Sequence, residues 1–166
     1  MAMCDVITES EMDFISNNAF RIEKSTLYTS LGEGIKSVEF IRIKEDNLLF
    51  IEARKSFPDP NNPESGNLTK FHSQVEDVCD KFIHSLNLFS SVKVRVAEYT
   101  LPTDFILPKK TSLVFTLVLK NHDLRGCKRI KAKISSSLPP YLKEIWKPKV
   151  FVINHQTAIK RNLAIS

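Results

Sequence analysis

The chain has 166 residues, 42% of them hydrophobic and 26% charged, with a net charge of +5. That is the length and composition of one ordinary core, so a single α/β domain over 1–166 is expected. There is no basic, apolar leader and no run of eighteen or so apolar residues, which argues against export and a helical membrane span and for a cytoplasmic location.

The total charge hides an asymmetry. Residues 1–100 carry 11 Lys and Arg against 16 acids, whereas the last 66 residues carry 13 against 3. A basic second half of this kind marks a surface for a polyanion, or an ordinary solvated face. Cys4, Cys79 and Cys127 are odd in number and form no CxxC pair, which points to reduced thiols. His72, His84, His122 and His155 have no zinc spacing. Walker, GxGxxG and GxSxG signatures are absent.

Along the chain, residues 17–34 mix helical and strand spacing and are expected to be a short helix or irregular segment leading into a strand. Residues 37–44 and 48–55 are rich in β-branched and apolar side chains around Glu45-Asp46-Asn47, the pattern of a hairpin. Three prolines and a glycine in "FPDPNNPESGN" (57–67) then predict an exposed loop. From Leu68 to about Leu88, Phe71, Val75, Val78, Phe82, Ile83 and Leu86 recur at steps of three and four, with Cys79 on the same stripe, predicting an amphipathic helix. "TSLVFTLVLKN" (111–121) reads as a central strand. His122-Asp123 are positioned to cap a basic helix, "LRGCKRIKAKI", that stops before Pro139-Pro140. A short helical turn "YLKEIW", a strand over 149–155 and a terminal helix "TAIKRNL" complete a mixed sheet flanked by helices.

Within the hairpin, a two-residue turn at Asp46-Asn47 or a four-residue turn at Lys44 to Asn47 puts Glu39, Glu52 and Arg54 on one face; a three-residue turn would separate the acids. Opposed carboxylates destabilise a sheet unless something neutralises them. Arg54 pairing with Glu39 is one answer. Mg²⁺ held by Glu39, Glu52 and the Ala53 carbonyl is another, because Mg²⁺ takes hard oxygen ligands and few carboxylates.

These residues resemble the PD-(D/E)xK nuclease superfamily. Glu39 looks like its first acid and Glu52-Ala53-Arg54 like its acid-x-lysine element, over an element order that covers roughly residues 20–121. The resemblance implies a restriction-endonuclease-like αβββαβ core and Mg²⁺-dependent hydrolysis of nucleic acid phosphodiesters. It also assigns Arg54 or Lys55 to transition-state charge and Gln74 to positioning water or backbone. The family's lysine is replaced by Arg54, which stays protonated and cannot serve as a base. Alternation points Lys55 away from the acids unless a bulge intervenes.

Arg125, Lys128, Arg129, Lys131 and Lys133 form the expected nucleic-acid footprint, binding phosphates independently of sequence. The alternative from another class is a non-catalytic nucleic-acid- or protein-interaction module on the same scaffold, in which the acids form a structural ion pair and the charge asymmetry drives self-association or partner docking.

Overall fold

The computed structural model describes residues 6–64, 66–97 and 99–166. Its elements in chain order are β1 (Val6–Glu9), β2 (Met12–Ile15), β3 (Ala19–Phe20), a 3-10 turn (Ile22–Lys24), α1 (Thr26–Thr29), β4 (Phe40–Lys44), β5 (Asn47–Arg54) and α2 (Asn67–Lys93). There follow β6 (Ser112–Leu119), α3 (Leu124–Ser137), α4 (Pro140–Ile145), β7 (Lys149–Asn154), α5 (His155–Lys160) and β8 (Ala164–Ile165).

The main sheet has the order β3-β4-β5-β6-β7, antiparallel through β5 and parallel from β5 to β7. The fold is therefore α/β with a mixed five-stranded sheet and flanking helices. The two parallel connections step in one direction along the sheet, so crossovers of the same hand set α2 and α3 on one face. The helix stripe read from the sequence is the one buried there, with Phe71, Val75, Val78, Cys79, Phe82 and Leu86 packed over Ile41, Phe50 and Phe115. Phe82 and Phe115 stack with ring centroids 4.6 Å apart, and Phe50 meets Phe115 edge-on at 5.8 Å. Burial lifts the Cys79 thiol to about 11, which keeps it an unreactive thiol in the core. Cys127 is also a buried free thiol, and Cys4 lies outside the described residues.

The opposite face differs from expectation. Part of it is covered by a second sheet, β1-β2-β8, whose Ile7, Met12 and Phe14 pack on Phe40, Ile51, Ala53 and Val118. These strands are two to four residues long and β8 comes from the far end of the chain, so no local periodicity announces them. The segment over 17–34 resolves into β3, the 3-10 turn and α1, with Ser25 capping α1 by accepting from the Tyr28 amide at 3.1 Å. α2 runs past Leu88 to Lys93, and Asp123 caps α3, accepting from the Gly126 amide. Among the described residues no helix is long and apolar enough to cross a membrane.

The strands keep the register of the expected four-residue turn, Ile43 opposite Leu48, but Lys44 and Asn47 also pair, which tightens the turn to two residues at Glu45-Asp46, one position before the expected two-residue turn. Glu45 has φ 54°, the left-handed region that costs a residue bearing a Cβ about 1–2 kcal/mol. Replacing it by glycine relieves that strain at an entropic cost of about 0.5–1 kcal/mol. Glu45→Gly is therefore expected to stabilise the fold by about 0.5 kcal/mol, read as a higher urea midpoint with an unchanged slope.

Candidate functional site: an acidic hairpin closed by a helix lysine

The register pairs Phe40 with Ile51, and the Glu39 amide donates to the Ile51 carbonyl at 3.1 Å, so continuing the ladder by one step puts Glu39 opposite Glu52. By alternation both carboxylates share the α2 face with Ile41 and Phe50. Glu52 is 1% exposed at the C-terminal end of β5, where open α/β sheets commonly hold ligands. Burying two opposed acids demands compensation.

Most of that compensation comes from α2. Gln74, Asp77 and Lys81 are spaced three and four residues apart, so they form one polar stripe beside the buried one. The Lys81 ammonium is 2.8 Å from Glu52 Oε1 and 3.7 Å from Glu39 Oε1. Arg54 donates from Nε to Glu52 Oε1 at 3.2 Å, from one terminal nitrogen to Gln74 Oε1 at 3.0 Å, and from the other to Asp77. Asp77 in turn accepts the Lys36 ammonium at 3.0 Å. Arg54 does not neutralise Glu39. Its fork is engaged by Glu52, Gln74 and Asp77, and Lys81 is the cation between the two acids.

The other expected members fall as follows. Lys55 is not in the site: β5 pairs with β6 without a bulge through Arg54, so alternation sends Lys55 to the other side, where it is ion-paired with Glu11. The Ala53 carbonyl accepts the Ser10 hydroxyl at 2.9 Å. Gln74 contacts Arg54 through its amide oxygen, which makes it a brace for the guanidinium. The five basic residues of α3 do not form one footprint. Arg125 and Arg129 line a cleft of about 370 Å³ with Asp59, Asn121, His122 and Asp123, and Arg129 pairs with Asp59 at 3.0 Å. Lys131 leans the other way, its ammonium 5.5 Å from the centre of the Phe151 ring. Lys128 is exposed and Lys133 half-buried.

Four participants have no counterpart in the sequence reading. Lys81 and Asp77 were legible in principle, from a helix stripe of Gln, Asp and Lys beside an apolar one. Glu9 and Glu23 were not, since they reach Glu39 from β1 and the 3-10 turn. The carboxylates of Glu9, Glu23 and Glu39 have oxygens within 4.8 Å of one another, and Arg21 donates to Glu9 and, at 2.6 Å, to Glu23.

Electrostatics follow from this crowding. Burial, then the Glu52 charge, raises Glu39 from 4.5 to about 8, with Lys81 opposing. Burial also pushes Glu52 upward against the pull of Lys81 and Arg54. Burial works against the Lys81 charge, yet Glu52 and Glu39 more than offset it and its pKa is raised. At neutral pH the site thus holds a protonated lysine and a proton on Glu39. Glu52 Oε2 is buried with no hydrogen-bond partner among the described residues.

That orphaned carboxylate oxygen is a hard donor of the kind a cation would satisfy, so the residues fit Mg²⁺. No family model matches this chain, and no match was found among curated proteins or solved structures.

Proposed function

We propose that this protein is a Mg²⁺-dependent phosphodiester hydrolase acting on nucleic acid, built on a restriction-endonuclease-like core. The observation that carries the reading is the Glu39–Glu52 pair facing one helix lysine, with one Glu52 oxygen buried and unpartnered. The order of the β4-β5 hairpin, α2 and the parallel strand β6 supports this reading, with the acids on the hairpin.

Glu39 and Glu52 would hold the ion. When bound, the ion supplies Lewis-acid polarisation of a phosphoryl oxygen and a water of lowered pKa. Glu39 must surrender its proton to take part. Lys81 stays protonated and donates to the charge that develops on phosphate, the role the resemblance gives to a lysine two residues after the second acid. Arg54 acts at one remove: held by Glu52, Gln74 and Asp77, it fixes the Glu52 carboxylate and is a positioning residue. Arg125 and Arg129, at the same end of the sheet, are suited to bind phosphates flanking the cut.

The non-catalytic module is favoured by a different observation. Lys81 and Arg54 already neutralise Glu52 Oε1, so the network is satisfied on that side without any ion. Cleavage of single- and double-stranded DNA and RNA at low salt, with Mg²⁺ or Mn²⁺ against EDTA, separates the two. Cutting that needs the metal is expected, together with a metal-induced rise in stability of about 2.7 kcal/mol at a concentration 100-fold above Kd. No cutting and no stabilisation by metal would leave an interaction module that keeps the scaffold alone.

A further inference from the structure

The cover over the second face of the main sheet is incomplete. The β1-β2-β8 sheet packs over Ile51, Ala53 and Val118, toward the C-terminal ends of the parallel strands. Near their N-terminal ends the same face opens into a depression of about 300 Å³ over Leu49, Val114, Thr116, Phe151 and Ile153. Its rim carries Lys44, Lys149 and Arg161, with Glu45 the one acid among its lining residues. The half-buried Phe151 ring has the Arg161 guanidinium 5.1 Å and the Lys131 ammonium 5.5 Å from its centre. Among the described residues none of Lys44, Lys131, Lys149 and Arg161 is ion-paired.

We propose that this open sheet face binds single-stranded nucleic acid, stacking a base at Phe151 and Arg161 and holding the adjoining phosphates with Lys44, Lys131 and Lys149. A flat apolar floor with one accessible aromatic ring suits a π-face of any base, and cations gathered around that ring suit a backbone that carries one negative charge per base. An acidic peptide would meet the charges but offers nothing planar to the ring. A duplex keeps its bases stacked and out of reach. The site lies on the opposite face of the sheet from the acids, with Phe151 level with Thr116 and Ile51 in the register and two strands, roughly 10 Å, across from β5, so the sheet itself separates it from Glu52 and it serves to hold a strand and not to cut it. The choice of nucleic acid as the polyanion rests on the function proposed above; the geometry of the platform does not.

The test is fluorescence anisotropy of the full chain in EDTA with labelled oligothymidylate, oligouridylate, a duplex and an oligoglutamate peptide. Either single strand is expected to bind, and the two together show whether the sugar matters. Lys149→Glu, an exposed position that cannot disturb the core, should weaken binding about tenfold or more at low salt, and Lys149→Ala should lower the slope of log K against log salt by about 0.7. Phe151→Leu should weaken binding roughly tenfold with that slope unchanged. Wild-type affinity in Lys149→Glu and Phe151→Leu, a preference for duplex, or equal binding of the acidic peptide would overturn the platform. Single-strand binding that responds to these substitutions in a chain that never cuts with metal overturns the acid-site reading and leaves the platform standing.

Discussion

Glu52→Gln should lower metal-dependent cleavage by at least a hundredfold while leaving the chain folded. The amide keeps the volume of a side chain that is 1% exposed, so the packing around it survives. What is lost is the charge. Residues that merely orient metal ligands are worth about 10- to 100-fold, and a direct ligand should be worth no less. Lys81 keeps the Glu39 carboxyl 3.7 Å away, and that carboxyl is released from repulsion by Glu52. Glu39 should accordingly titrate lower in this variant. Cleavage at the wild-type rate by Glu52→Gln, measured on the substrate the wild type cuts best, would remove Glu52 from the chemistry.

Lys81→Met should have the largest effect on stability. Lys81 is the only cation that contacts both Glu39 and Glu52 among the described residues, and its side chain is 22% exposed. Removing one partner of a buried ion pair costs about 3–5 kcal/mol, and partial exposure brings the expectation here to about 2–3 kcal/mol. For a chain of this length that is roughly 5–10 °C in Tm. Methionine fills the space of the lysine stem, so the loss reports charge and not a cavity. Two rescues distinguish this cause from simple misfolding. Lowering the pH should restore stability by protonating the acids, and adding Mg²⁺ should stabilise Lys81→Met more than wild type. A deficit indifferent to both would mean that Lys81 serves packing alone.

The proton on Glu39 has its own signature. Its carboxyl is raised from 4.5 to about 8 in the fold, so between those values the folded chain binds a proton that the unfolded chain has lost. The contribution of this group is full below 4.5, declines as pH rises and is gone above about 8. Glu39→Gln should flatten that decline and make the variant the more stable protein at the alkaline end. A Tm profile across that range, run for both chains without metal, checks it; parallel profiles would show that Glu39 is ionised throughout.

Much of the architecture was legible because it is written locally. The hairpin, the α2 stripe, the apolar run of β6 and the Asp123 cap each follow from a period or a turn residue within a few positions. The acid pair was legible too, since a ladder of alternating side chains makes Glu39 and Glu52 share a face under any even turn. Arg54 shows where that reasoning stopped. Alternation put it on the right face but could not say that Gln74 and Asp77, twenty or more residues on, would take its fork. The exclusion of Lys55 depended likewise on an unbroken register with β6.

The sequence by itself therefore determined the elements, their faces and one pair of carboxylates, because strand and helix periods act over a few residues. Only the tertiary structure decided which cation answers those carboxylates, that Glu9 and Glu23 crowd Glu39, that a small second sheet closes part of one face, and that Phe151 stands among basic residues where that cover ends. Those are distances between segments far apart in the chain. They are set by crossover handedness and by which apolar faces find each other, and no local period encodes them.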